Sequence, residues 1–298
     1  MGDTVAMDSI TAAEFAVASA TLAVGFCAGV LSALLGVGGA VVTTPAVRVL
    51  GATPIEAVGS TVPAILPGAI SGSIRYAREG LVDWSLALGL GISGAVFALG
   101  GAWVSSLVDG RVLMVFTAAL MLWSGVSVLR GRDRPRAAAG SAAERDGRSA
   151  PTPGVGVDAG PKVLRGDRSD RTERRSGWLV GLVGAGSGFV AGLLGVGGGI
   201  IMVPAMAGPL RIPMKKAVAS SLVAVAIFSV PALGAHVVLG HVNWAFALPL
   251  MLGVVPGAQV GARLTIGASE LALRRLFGVL VVLLALVYGG SELAALLG

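Results

Sequence analysis

The chain has 298 residues, of which 55% are hydrophobic and 13% charged, and its mean hydropathy is +0.86. A soluble domain carries about 25% charged residues, so a water-soluble globular enzyme is excluded; the apolar content equally excludes disorder over most of the chain. The net charge of +6 is local, since 12 Lys+Arg and 7 Asp+Glu lie between Arg130 and Arg175. A basic balance placed between apolar segments reads as an orientation signal in a bilayer, and no nucleic-acid partner is expected.

From the N-terminus, residues 1–14 hold Asp3, Asp8 and Glu14 but no Lys or Arg, which argues against a secretory signal. A bilayer core of about 30 Å needs ~20 apolar residues in helix. Charge-free stretches run over 15–47, 57–74, 84–108 and 112–129, then over 176–210, 217–262 and 276–291. Glycine and proline break the longest of them. Five helical segments are predicted in each half: 12–35, 38–50, 56–76, 84–107 and 111–130, then 178–194, 200–210, 216–238, 244–266 and 271–290. The division is an N-terminal membrane repeat over 12–130, a basic, loosely ordered cytoplasmic linker over 131–176, and a C-terminal membrane repeat over 177–292. The linker, rich in Arg, Ala, Gly, Ser, Pro and Asp, has too few large apolar side chains to build a core.

The two halves are copies. Residues 34–45 read LLGVGGAVVTTP and residues 193–204 read LLGVGGGIIMVP. Gly80, Val82 and Trp84 are matched by Gly240, Val242 and Trp244, now one residue further apart. Loop charges set the expected orientation: the linker is inside and both termini are outside. Each half then crosses an odd number of times, which makes the repeats inverted. Arg75, Arg78, Arg211, Lys215, Lys216, Arg263, Arg274 and Arg275 fall inside on this scheme, and Arg48 and Arg111 outside. The fold class expected is therefore an all-α polytopic membrane protein of two inverted repeats, each of about four to five helical segments. Charge does not decide whether the first two segments of each half cross fully or form a re-entrant hairpin.

Each G-V-G-G cluster lies in an apolar stretch six residues before a proline: Gly36, Gly38 and Gly39 before Pro45, and Gly195, Gly197, Gly198 and Gly199 before Pro204. Close helix packing is one reading of such small residues. The other is a helix break at membrane depth, which survives only where it is buried or lines a cavity and would offer N–H groups and a helix N-terminus to an anion. Paired breaks in inverted halves match the pattern of a transporter site. Ser60 and Thr61 match Ser220 and Ser221. They are either local backbone partners within a helix or hydroxyl donors to a bound oxyanion. Gln259 is interhelical glue or a ligand group. Gly25/Gly29, Gly184/Gly188/Gly192 and Gly257/Gly261 read as packing faces.

Other candidates are weaker. Gly186, Gly188 and Ala191 fit G-x-G-x-x-A without the strand or acidic residue that nucleotide binding requires. Cys27 is alone among apolar neighbours and is expected to be a small packed hydrophobe. His236 and His241 have no carboxylate partner in sequence and are expected at the interface, as are Trp84 and Trp244. No acid–base pair, nucleophile or metal-spaced cluster is visible, so neither enzymatic activity nor a cofactor is expected.

At LLGVGGAVVTTP and LLGVGGGIIMVP the sequence resembles the sulfite exporter TauE/SafE family. The likeness covers nearly the whole chain apart from the linker and the first dozen residues. The first copy departs from the family pattern, with Ala40 where the second has Gly199, which implies a tighter first break; the linker is also long for the family. The resemblance implies secondary transport of sulfite, an organosulfonate or a related sulfur anion across the cell membrane. The expected partners are that small anion, a coupling ion (H+ or Na+) and the lipid bilayer. A non-transporting membrane scaffold and an anion channel are the alternatives.

Overall fold

A computed structural model describes residues 2–130, 166–210 and 212–297. Ten helices account for the fold of these residues, with no strand among them. The first half holds α1 (Gly2–Leu35), α2 (Ala40–Val49), α3 (Pro54–Arg78), α4 (Trp84–Ser105) and α5 (Gly110–Arg130). The second holds α6 (Gly166–Leu194), α7 (Gly199–Ala207), α8 (Met214–Val238), α9 (Trp244–Gly267) and α10 (Glu270–Leu297). The expected linker lies outside the described residues from 131 to 165. Helix α6 begins at Gly166, earlier than the expected start at 178, so the final part of that stretch is helical.

Seven of the described helices are long and apolar enough to cross a membrane. Their faces are arranged for lipid. On α4 the buried positions are, apart from Leu90, small residues, among them Ala87, Gly91, Gly94, Ala98 and Gly101. Leu88, Ile92, Val96, Leu99 and Trp103 are exposed on the other side. In water that surface would be a severe aggregation hazard; in lipid it costs nothing, and small residues inside let backbones approach. Cys27 follows the same logic and corrects the expectation made for it: it is exposed on α1, where a small apolar side chain faces outward.

The halves interlock rather than sit side by side. Gly25 and Gly29 of α1 lie against Leu250 and Val254 of α9, while Gly257 and Gly261 of α9 lie against Phe26 and Val30 of α1. The equivalent pair repeats the contact, with Gly184, Gly188 and Gly192 of α6 against Leu90, Gly94 and Ala98 of α4. At Gly29 an added Cβ would stand 2.9 Å from the Ala258 nitrogen, so no larger residue fits between these backbones. The three predicted glycine faces are therefore packing faces, and they mate across the halves.

Helices α3 and α8 form the centre and run antiparallel. Near the start of α3, the Ser60 hydroxyl oxygen accepts the Asn243 N–H (2.8 Å), which follows α8. Near the start of α8, the Ser220 oxygen accepts the Asp83 N–H (2.9 Å), which follows α3. Asp83 and Asn243 also cap the helices they precede, through Leu86 N–H and Ala245 N–H. Helix α3 itself starts with Thr53 and Glu56 in a capping box, and Pro54 supplies the first helical residue.

Helix α1 runs along α9 and ends at Leu35, and α2 turns back. Val47 of α2 packs with Ala57 and Ala64 of α3 and with Leu250 near the start of α9, so α2 returns to the end of the bundle where α3 begins. A helix of 10 residues spans about 15 Å, half of a bilayer core. Helices α1 and α2 thus form a hairpin that reaches into the bundle and goes back, and α6 and α7 form its equivalent from the opposite end.

Candidate functional site

The two hairpin tips meet. Both turns are built from glycine in the left-handed region, with Gly38 at φ +85° and Gly197 at φ +86°; an L side chain there costs about 1–2 kcal/mol. An added Cβ on Gly197 would stand 2.7 Å from the Val37 carbonyl oxygen and 3.2 Å from Gly38 Cα, and one on Gly199 would collide with the Gly36 carbonyl oxygen. Ala40, the equivalent of Gly199, keeps its Cβ and is buried. The contact is therefore tighter around the second motif than around the first, opposite to what Ala40 implied.

Helices α2 and α7 begin at this contact, at Gly39 and Gly198, and neither N-terminus has a side-chain cap. Each contributes partial positive charge from its first-turn N–H groups. Val37, Ile65 and Val225 surround the tips, and no Lys, Arg, Asp or Glu lies in 36–45 or 195–204. One further polar atom stands by the second tip. Ser187 on α6 is fully buried, its Oγ has no hydrogen-bond partner, and its backbone carbonyl is what a Cβ on Gly198 would meet, at 2.5 Å.

The prolines lie in the returning helices. Proline cannot donate to the carbonyl four residues back, so Pro204 leaves the Ile200 carbonyl free. Ser124 of α5 donates its hydroxyl proton there at 2.6 Å. Pro45 occupies the same position in α2, followed by Arg48, whose Nη1 donates to the Ala52 carbonyl at 3.3 Å.

The candidate hydroxyls divide into two groups. Thr61 donates to the Val58 carbonyl (2.9 Å) and pairs with Thr44 Oγ1 (3.4 Å). Ser221 lies within reach of both the Val218 and the Gly36 carbonyl oxygens, at 2.9 Å each. Ser221 thus reaches the first hairpin tip at Gly36, and Thr61 ties α3 to Thr44 of the returning helix α2. Ser60 and Ser220 instead hold the loops before α9 and α4 at opposite ends of the bundle. Gln259 lies apart from the tips; its Nε2 donates to Ser71 O (2.7 Å) and Ser71 Oγ (2.9 Å), tying α9 to α3.

His236 corrects the sequence expectation. It is 0% exposed, packed inside the bundle near the end of α8 rather than on its surface. Its Nε2 donates to the Gly192 carbonyl of α6 (3.1 Å), and its Nδ1 faces His241 Nδ1 at 3.1 Å. The equivalent residue in the first half is Tyr76, whose hydroxyl donates to the Ala33 carbonyl of α1 at 2.6 Å. The repeat spacing carried this signal, because Tyr76 and His236 share a register, but neither residue type matches the other and the correspondence is invisible without the contact. Burial pushes the His241 imidazole below its ordinary range. Among the described residues no group of three or more His, Cys, Asp or Glu could hold a metal ion.

An all-helical bundle with lipid-type faces, two interlocked copies and a central contact of broken helices defines a multi-pass integral membrane protein. The family model of sulfite exporter TauE/SafE matches residues 21–288. A "Probable membrane transporter protein" of Xylella fastidiosa (strain Temecula1 / ATCC 700964) is 30% identical over 269 residues, covering 88% of this chain and 90% of its own. The "Probable membrane transporter protein YunE" of Bacillus subtilis (strain 168) is 27% identical over 250 residues, 80% of this chain and 85% of its own. No solved structure matches. The chain belongs to the sulfite exporter TauE/SafE family, and it is a membrane transporter of that family rather than an enzyme.

Proposed function

We propose that the protein is a secondary transporter of a small anion, of the class of sulfite, an organosulfonate or a related sulfur anion, and that the anion binds between the two hairpin tips. The observation that carries the reading is the meeting of two uncapped helix N-termini at Gly39 and Gly198 in a region without charged side chains. Backbone N–H groups of 36–39 and 195–199 bind the anion. Thr61, Ser221 and the unpartnered Ser187 hydroxyl supply further polar contacts, and Pro45 and Pro204 set the course of the returning helices. Partial charges from helix ends hold an anion less tightly than an ammonium group would, so it can also leave. Ser60, Ser220 and Gln259 hold the surrounding frame.

The copies are inverted repeats in the cell membrane, with the linker cytoplasmic and the termini outside. The antiparallel course of α3 and α8 and the loop charges support this, because equivalent hairpins then enter from opposite faces as alternating access requires. Purified protein in proteoliposomes, offered a panel of sulfite, sulfate, an alkylsulfonate and a small carboxylate, tests the function. Saturable uptake of sulfite or the sulfonate is expected. Non-saturating flux would favour a channel, and absence of flux across the panel a scaffold. Reporter fusions at the C-terminus and within 140–170 test the topology; both on one side would overturn the inversion.

A further inference from the structure

His236 and His241 form a pair that the first half lacks. Tyr76 and Leu81 stand at the equivalent places, and Tyr76 makes the same kind of bond to the first helix of its half without a second ring beside it. The tautomers follow from the partners. A carbonyl oxygen only accepts, so His236 Nε2 carries a proton toward Gly192 and His236 Nδ1 is a bare lone pair. His241 Nδ1 at 3.1 Å therefore carries the proton between them, and His241 Nε2 is left as the basic atom. His236 is fully buried; His241 is half-buried in the loop 239–243.

The pair joins three elements. His236 on α8 holds α6 at Gly192, one turn before the 195–199 tip. The backbone carbonyl of His241 lies where a Cβ on Gly59 of α3 would fall. Two residues on, the Asn243 N–H is held by Ser60. This chain of contacts ties α6, α8, the loop 239–243 and α3 together at the end of the bundle where α3 begins. Charged neighbours are few: α4 and α6 carry no titratable side chain in 84–105 and 177–194, α8 bears Lys215 and Lys216 and α9 bears Arg263, both at their far ends from the pair. On α3 the nearest carboxylate along the helix is Glu56, one turn before Gly59, and it already accepts from Thr53 N and Thr53 Oγ1. Asp109 and Arg111 lie in the α4–α5 connection and at the start of α5, at the same end of the bundle.

We infer that the His236–His241 pair is a proton-binding site, and that a proton taken up there opens the end of the bundle that the pair closes, making H+ the coupling ion of the transporter proposed above. The step is a simple protonation: a proton from water adds to the lone pair of His241 Nε2, and the pair gains one positive charge shared along the Nδ1–H···Nδ1 bond. No bond to carbon breaks and no electron is transferred. A cation in this partly desolvated place is disfavoured. Its conjugate conformation, with loop 239–243 withdrawn and the rings hydrated, binds the proton more tightly. Linkage then requires acid to shift the population toward the open form. The sign follows from the lowered His241 value: the closed form is favoured above the ordinary His range and loses that advantage as pH falls.

The test uses the full chain in lipid nanodiscs and reads amide hydrogen exchange, corrected for intrinsic rate, at about pH 7.5 and about pH 5, a span across the ordinary His range. Peptides covering 190–199 and 239–244 should exchange several-fold faster at the acid pH in the wild type. The response should vanish in His241→Leu and in His236→Tyr/His241→Leu, which copy the residues of the first half and keep a donor to Gly192. It should persist in Glu56→Gln. An unchanged acid response in both histidine variants, or its loss only in Glu56→Gln, overturns the proposal. Saturable anion flux with no pair-dependent exchange response also overturns the proton site and leaves the transporter reading standing. A pair-dependent response without flux on any anion of the panel supports the site and sinks the transporter reading instead.

Discussion

The two halves share a path of chain and differ in how each is fastened. In both, the hydroxyl near the start of the central helix, Ser60 or Ser220, holds the backbone N–H that precedes the other half's fourth helix. In both, one buried side chain near the end of the central helix donates to a carbonyl of its half's first helix. That side chain is Tyr76 in the first half and His236, backed by His241, in the second. The second motif has Gly199, pressed on Gly36 where the first has Ala40, and its Ile200 carbonyl, released by Pro204, is held by the Ser124 hydroxyl of α5. The backbone contacts match between the halves, because these depend on glycine and on N–H groups. The side chains differ, because a phenol and an imidazole can each fill the same hydrogen bond.

That difference can be broken first at the tips. Gly197→Val places a β-branched residue at φ +86° with its Cβ on the Val37 carbonyl. Strain of about 1–2 kcal/mol adds to an overpacking cost of about 1–3 kcal/mol. Gly38→Val carries the same strain, but its nearest neighbours are the side-chain methyls of Val225 and Ile65 at 3.1 and 3.2 Å, which can shift. Thermal melting of the purified variants should fall more for Gly197→Val, and anion uptake should be lost in it. Equal melting losses would mean the two tips are packed alike.

Gly199→Ala against Ala40→Gly sharpens the same comparison. The first puts a Cβ into the Gly36 carbonyl and should lower the melting temperature markedly; the second removes a methyl from a buried site and should cost about 1 kcal/mol. Ser124→Ala leaves the Ile200 carbonyl buried and unpaired, at a cost of about 1–3 kcal/mol, readable in denaturant or thermal melts. Introduced together with Pro204→Ala, which restores a helical N–H to that carbonyl, it should cost clearly less; additivity of the two would show that the serine serves something else.

The smallest effect is expected where the halves agree. Ser60→Ala and Ser220→Ala each remove one hydrogen bond to a loop N–H, about 1 kcal/mol apiece, and should do so equally. A markedly larger loss at either one would reveal an asymmetry that the matched distances of 2.8 and 2.9 Å do not show.

Much of the fold was legible in the residues. Hydrophobic stretches of membrane length, the repeated GVGG elements and the Trp84 and Trp244 starts located the helices to within a few residues, except at the starts of α1 and α6 and the end of α10, which extend further than expected. They did so because a helix in lipid must satisfy its own backbone and the left-handed glycines at 36–39 and 195–198 interrupt it. The packing faces were legible too, since glycines four residues apart leave a groove that only another backbone fills. The candidate site was legible as a list of residues and not as an arrangement. Ser60 and Ser220 look like Thr61 and Ser221 along the chain, yet the first two fasten loops and the last two bond to a hairpin, Thr61 at Thr44 and Ser221 at Gly36.

The sequence by itself determined that this is a helical membrane protein with a glycine element written twice, because composition, hydrophobic period and a recurring motif are local properties of the chain. Only the tertiary structure decided that the first helix of each half packs on the fourth of the other, that the two breaks touch, and that His236 is buried beside His241. Those contacts join residues far apart along the chain or on opposite sides of a loop, as with Gly94 and Gly188, Gly38 and Gly197, and Gly25 and Leu250. No periodicity encodes such a meeting. It is set by which glycine-lined backbones can approach closely enough to exclude every other partner.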